Sequence, residues 1–195
     1  MLRVMHRVNT ISQLKTVPKD FGVEVDIRTS AGELIINHEP FQGGDSLDDY
    51  LSKFDHALAV LEIKEEGIEK RVISLCEKHG ISDFFLLSVS FPFMYALSKQ
   101  GVHKMAARYS EFESIDTCLS LSGKVDWVWV DTFTKNPLDH DSFNALKEAG
   151  FRTCIVSPDR WGRPEEIPGL AKYYKKEGIE IDAVMTDPKN AGLWK

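Results

Sequence analysis

Eight short apolar runs, rich in β-branched and aromatic residues, recur along the chain at 2–8, 21–28, 57–64, 83–91, 104–109, 125–131, 151–157 and 181–186. Between them lie amphipathic stretches, several of which end on glycine (Gly80, Gly101, Gly150, Gly178) just before the next run. Glycine there takes the left-handed conformation that stops a helix, so the order reads as repeated strand–helix units. Residues 46–54 open with Ser46 as an N-cap and Asp48 and Asp49 in the first turn. Residues 68–79 carry Ile68, Val72, Ile73, Leu75 and Cys76 at helical spacing, and 92–100 begin with Pro92. Further helices are expected over 139–149 and 165–177. Phe84-Phe85-Leu86-Leu87 and Trp127-Val128-Trp129-Val130 are apolar on both faces, as strands inside a parallel sheet are. The expected fold is α/β, a compact (β/α)8 TIM barrel with minimal insertions. An open doubly wound sheet is the rival, but no Gly-rich fingerprint follows the first strand. At about 24 residues per unit the barrel has almost nothing to spare, so some helices must be single turns, with 9–18 and 110–122 the weakest.

A length of 195 residues points to a single domain over 1–195, long enough to bury a core without disulfides. With 24 Lys and Arg against 30 Asp and Glu, the net charge is −6, and no basic stripe offers a nucleic-acid groove. No apolar run is long enough to span a bilayer, and the first residues lack a signal-peptide core, so no stable membrane insertion is expected. Cys76, Cys118 and Cys154 are far apart with no CxxC spacing, which suits buried thiols in a reducing compartment and a cytoplasmic protein.

In a barrel, chemistry sits at the C-terminal ends of the strands. His6 and Arg7 end the first strand. Glu24 and Asp26, two apart on the second, share a face, and Glu62 and Lys64 repeat that spacing on the third. After a turn at Gly32, residues 33–38 run back as a short extra strand ending in His38. Three carboxylates, two histidines, one arginine and one lysine thus gather at one end of three consecutive strands. Burying so many charges needs a partner, and a hard divalent cation such as Mg²⁺ or Ca²⁺ selects carboxylate oxygens.

His6-Arg7, Glu24-Val-Asp26 through His38, Leu61-Glu62-Ile63-Lys64, Ser90-Phe91 and Asp182-Ala-Val-Met-Thr186-Asp187-Pro188 follow one another in an order that resembles the glycerophosphodiester phosphodiesterases. These belong to the superfamily of phosphatidylinositol-specific phospholipase C-like barrels. The resemblance implies a metal-dependent phosphodiester hydrolase acting on a small phosphodiester. It implies that Glu24, Asp26 and Glu62 hold the divalent cation, that His6 and His38 serve as general acid and base, and that Arg7 and Lys64 bind phosphate. An imidazole can take either proton-transfer role near neutral pH. The chain departs from the family pattern in four places. Val8-Asn9-Thr10 follows His6-Arg7 directly, where the family has a glycine and a longer loop. Glu39 replaces an Asp after the second histidine, and the insertion beyond it shrinks to 40–45. Ser157-Pro158-Asp159 stands where the family carries a tryptophan.

Arg108 at the end of the fifth strand, and Trp129 and Asp131 on one face of the sixth, are further candidates for contact with substrate. Arg108 reads equally well as an ion-pair partner of Glu111 or Glu113. Asp159-Arg-Trp161-Gly162-Arg163 is a polar aromatic loop at the same end. Two other functions remain open to the sequence: a non-catalytic metal- or phosphate-binding barrel, and a lyase in which Lys64 forms a Schiff base.

Overall fold

The computed structural model describes residues 1–194. In chain order the elements are β1 (Leu2–Met5), α1 (Ile11–Leu14), β2 (Gly22–Ser30), β3 (Glu33–Ile36), β4 (Asp45–Ser46), α2 (Leu47–Leu51), β5 (Leu58–Ile63), α3 (Glu69–Lys78), β6 (Phe84–Leu87), α4 (Phe91–Ser98), β7 (Ala106–Tyr109), α5 (Ile115–Leu119), β8 (Trp127–Val130), α6 (His140–Glu148), β9 (Arg152–Val156), α7 (Ile167–Glu177) and β10 (Ala183–Thr186). All eight expected strands are present, and the run over 33–38 forms β3. The single-turn helices demanded by the short units are α1, α2 and α5, each of four or five residues. Side chains start them: Thr10, Ser46 and Ser114 accept hydrogen bonds from backbone N–H groups of the first turn.

The chain groups into two compact units, one of Val4–Ala96 and one of Met1–Arg3 with the chain from Leu97 onward. In the first, β2 is central. It pairs in parallel with β1 at Val4↔Gly22 and with β5 from Gly22↔Leu58 to Ile27↔Ile63, and β5 pairs in parallel with β6. Its far half turns back on β3 as an antiparallel hairpin, Ile27 opposite Ile36. Gly22 is what lets three strands meet: a Cβ there would lie 3.0 Å from Val4 Cγ2 and 3.2 Å from the Leu58 carbonyl oxygen. In the second unit β8 lies between β7 and β9, and β9 pairs with β10, all in parallel. Trp127 is buried there, with the Arg152 guanidinium 4.0 Å above its ring. These pairings establish an α/β fold of eight parallel strands with a short antiparallel arm. Among the described residues no helix is long and apolar enough to cross a membrane.

The core mixes aliphatic side chains with buried aromatics such as Trp127, Phe85 and Phe151, and β2 shows how it meets the polar end. Val23, Val25 and Ile27 are buried on one face, while Glu24 and Asp26 are equally buried on the other. The first unit also buries His56 just ahead of β5. Its Nε2 lies 3.1 Å from the Val17 carbonyl, so Nε2 carries the proton, and Nδ1 is buried with no hydrogen bond. Burial, ahead of all other influences, holds this imidazole below its ordinary pKa. A base depressed in the folded state contributes stability above its unfolded pKa, near 6.5, that is lost as the pH falls through the folded value. The urea midpoint should therefore fall from pH 7 to pH 5, and His56→Gln, which keeps a donor for Val17, should flatten that fall. An equally steep fall in the variant would assign the acid sensitivity elsewhere.

Candidate active site

β1 stops at Met5 because the chain turns sharply at Arg7, which adopts a left-handed backbone (φ 52°). That turn aims two successive N–H groups at β2. Arg7 N–H donates to Glu24 Oε2 at 2.7 Å, and Val8 N–H to the Glu24 carbonyl at 2.9 Å. The fully buried Tyr50 donates its hydroxyl to the Val8 carbonyl at 2.9 Å, fixing the turn from α2. His6 is brought to 3.8 Å from Glu24 Oε2.

The register places Asp26 opposite Glu62 on β5. Glu24, Asp26 and Glu62 each offer a carboxylate oxygen, and the three oxygens lie within 4.8 Å of one another. Asn9 clasps Asp26 from both sides: its amide Nδ2 donates to Asp26 Oδ2 at 2.7 Å, and its Oδ1 accepts the Asp26 N–H at 3.0 Å. Lys64 closes the cluster, with Nζ 2.7 Å from Glu62 Oε1 and 3.0 Å from Asp26 Oδ1. Ser88, held at φ 59°, also donates to Glu62 Oε1 at 3.2 Å.

Glu24 and Asp26 do not share one electrostatic fate. Burial, reinforced by the charges of Asp26 and Glu62, pushes the Glu24 carboxyl well above the usual range. Asp26 is as buried by its surroundings, yet the hydrogen bond from Asn9 and the Lys64 ammonium outweigh desolvation and hold it below that range. Burial works against the Lys64 ammonium, but Glu62 and Asp26 overcome it and raise its pKa. A lysine held charged in this way is a poor Schiff-base nucleophile, so the geometry disfavours the lyase reading.

His38 follows β3 and meets Arg7, whose guanidinium nitrogen lies 2.6 Å from His38 Nε2. A guanidinium has donors only, so Nε2 must be the accepting nitrogen and the ring proton sits on Nδ1. Nδ1 in turn lies 2.6 Å from Glu39 Oε1, which accepts that proton's hydrogen bond. Arg28 donates to the His38 carbonyl at 3.0 Å and so ties this loop to β2.

Two buried carboxylate oxygens of this site, Glu24 Oε1 and Asp26 Oδ1, make no hydrogen bond, and the Lys64 ammonium lies beside the second of them. A buried carboxylate oxygen without a donor is costly unless something positive reaches it. The donor set is all oxygen, which suits a hard divalent cation. The residues therefore fit the group they were expected to hold. All seven residues singled out at the ends of the first three strands (His6, Arg7, Glu24, Asp26, His38, Glu62 and Lys64) lie in the first unit. Sequence reasoning did not single out Asn9, Tyr50 or Ser88 for the site. Ser88 lies just ahead of the Ser90-Phe91 match, but it acts through a left-handed turn that periodicity does not reveal.

Arg108, Trp129 and Asp131 belong to the second unit and form their own cluster. Arg108 donates to Asp131 Oδ2 at 2.6 Å and to Glu113 Oε1 at 3.1 Å. The indoles of Trp129 and Trp161 reach the two oxygens of Asp131 at 3.2 and 3.3 Å. Of the two partners expected for Arg108, Glu113 is one and Glu111 is not, since Glu111 receives Thr134 and Lys135 instead. Trp129 and Asp131 are buried, so of the three residues expected to contact substrate Arg108 is the one presented to solvent, one-third exposed.

Neither a protein-family profile nor a curated protein matches the sequence. Solved structures do match its fold. A glycerophosphodiester phosphodiesterase from Agrobacterium tumefaciens str. C58 aligns with 100% of this chain and 99% of its own at a TM-score of 0.67 and 16% identity. A glycerophosphoryl diester phosphodiesterase from Parabacteroides distasonis ATCC 8503 aligns with 98% of this chain and 84% of its own, at a TM-score of 0.66 and 12% identity. Over its whole length, the chain has the fold of these glycerophosphodiester phosphodiesterases.

Proposed function

We propose that this protein is a metal-dependent phosphodiester hydrolase, a divergent relative of the glycerophosphodiester phosphodiesterases. Its substrate is a small phosphodiester of the glycerophosphodiester class, and its eight parallel strands are those of a single-domain (β/α)8 barrel. The observation that carries the reading is the convergence of carboxylate oxygens of Glu24, Asp26 and Glu62 within 4.8 Å, with Glu24 Oε1 buried and making no hydrogen bond, beside two histidines. Glu24, Asp26 and Glu62 would hold a divalent cation, Mg²⁺ or Ca²⁺. Such an ion polarises a phosphoryl oxygen as a Lewis acid when bound.

The chain's own groups supply the rest. His38 offers an unprotonated Nε2, held in that tautomer by Glu39, and is assigned the proton-accepting role. His6 is then the group that delivers a proton to the leaving alkoxide. Arg7 stands against His38 Nε2 and is placed to neutralise a phosphate oxygen beside it. Lys64 adds a second positive charge. Arg108, supported by Asp131 and Trp129, is carried as a substrate-contacting residue, with those two acting through it.

Hydrolysis of a panel running from a chromogenic bis-aryl phosphate to glycerophosphocholine, with Mg²⁺, Ca²⁺ or chelator, tests the proposal. Turnover should require a divalent cation and be lost in Glu62→Ala. Turnover that persists unchanged in chelator would overturn the metal-dependent reading. Cation binding with no turnover of any diester would instead favour the non-catalytic barrel.

A further inference from the structure

Five of the six oxygens of the carboxylate cluster have surroundings that bear on a cation. Glu24 gives Oε2 to the Arg7 N–H and keeps Oε1 without a partner. Asp26 gives Oδ2 to Asn9, and its remaining oxygen, Oδ1, faces the Lys64 ammonium at 3.0 Å. Glu62 Oε1 holds Lys64 at 2.7 Å and Ser88 at 3.2 Å. The oxygen that Asp26 has left to offer a cation is therefore the one Lys64 already occupies. Lys64 is a flexible four-carbon arm with a point charge, and although mostly buried it keeps 17% of its side chain open to solvent, the side toward which it can withdraw.

We propose that Lys64 is a displaceable internal cation. A divalent cation entering between Glu24, Asp26 and Glu62 replaces its ammonium at Asp26, and the released ammonium turns to a phosphate-type anion. The inference rests on the reading of these carboxylates as a metal site. It makes two ligands interdependent: the cation frees the lysine that the anion needs, and by linkage the anion draws the lysine away and tightens the cation. In the absence of a cation the ammonium keeps the buried carboxylates compensated, which explains how the fold tolerates them.

The test is a titration of the whole protein with Mn²⁺ alone, following free Mn²⁺ by electron paramagnetic resonance, for wild type, Lys64→Gln and Lys64→Met. Removing the competing ammonium should tighten Mn²⁺ binding by about tenfold or more, the size of a partly buried ion pair. The measurement is repeated with saturating inorganic phosphate, which should tighten Mn²⁺ in wild type by a larger factor than in Lys64→Gln. Thermal melting controls for folding: the variants should be less stable without cation and gain more from Mn²⁺ than wild type does. Equal Mn²⁺ affinity in all three proteins would overturn the exchange while leaving the metal site intact. An equal phosphate effect in wild type and Lys64→Gln would overturn the link to the anion. Binding in none of them would overturn the metal site and the inference together.

Discussion

His38→Ala and His6→Ala should each lower the rate of diester hydrolysis by about 10²–10⁴-fold, the range for loss of a positioned acid or base. The two losses should differ in kind. His38 accepts from Arg7 at Nε2 and donates to Glu39 from Nδ1, so Nε2 is the nitrogen of its ring that can take a proton. His38→Ala should therefore remove the acidic limb of the pH–rate profile, the limb on which a base loses activity by becoming protonated. His6→Ala should remove the basic limb, where an acid fails by losing its proton. His38 is one-third exposed, so its truncation should leave the melting temperature and Mn²⁺ binding nearly unchanged, and the loss will be chemical. His6 lies against Glu24, and a modest change in cation affinity accompanies its removal. A variant that keeps a third or more of the wild-type rate would take that histidine out of proton transfer. Swapped limbs would reverse the assignment while leaving the pair in place.

Much of this was legible in the sequence because it depends on local periodicity. Strands buried on both faces announce themselves as unbroken apolar runs, and all eight landed on strands. The two-residue spacing of Glu24 and Asp26, and of Glu62 and Lys64, places side chains on one face whatever the neighbouring strand does. Register then set Asp26 opposite Glu62. What periodicity could not carry is the turn. The first apolar run extends over 2–8, but the strand ends at Met5 because Arg7 goes left-handed, an unusual conformation for a residue with a side chain. The roles of Val8 and Asn9 follow from that turn, and both act on residues about 17 positions away. Glu39 was visible only as a departure from a family pattern. Its bond to His38 depends on the ring tautomer, which Arg7 decides. In the sequence Arg108 reads equally as a contact for a substrate anion and as a partner of Glu111 or Glu113. Asp131, which directly follows β8, is its shorter contact.

Asn9 is where the missed part has the largest consequence. Asn9→Ala should destabilise the protein by about 3 kcal/mol, because it removes a charge-assisted bond to Asp26 and leaves the Asp26 N–H without its acceptor. Both groups are buried on β2, so water cannot readily replace the amide. The effect should reach the cation as well. With Oδ2 no longer held, the Asp26 carboxylate is free to rotate, and Mn²⁺ binding should weaken even though Asn9 is not among the three carboxylates. Asn9→Asp separates the two roles. It keeps an acceptor for the Asp26 N–H, but it sets a second carboxylate 2.7 Å from the first in place of a donor. Such a pair is repulsive unless one member is protonated or a cation lies between them. Asn9→Asp should therefore be destabilised without cation and recover more stability on adding Mn²⁺ than Asn9→Ala does. Chemical denaturation of both variants, with Mn²⁺ and with chelator, measures these differences. If Asn9→Ala melts like wild type and binds Mn²⁺ as tightly, the clasp does not orient Asp26, and the short loop after Arg7 serves only to connect β1 to α1.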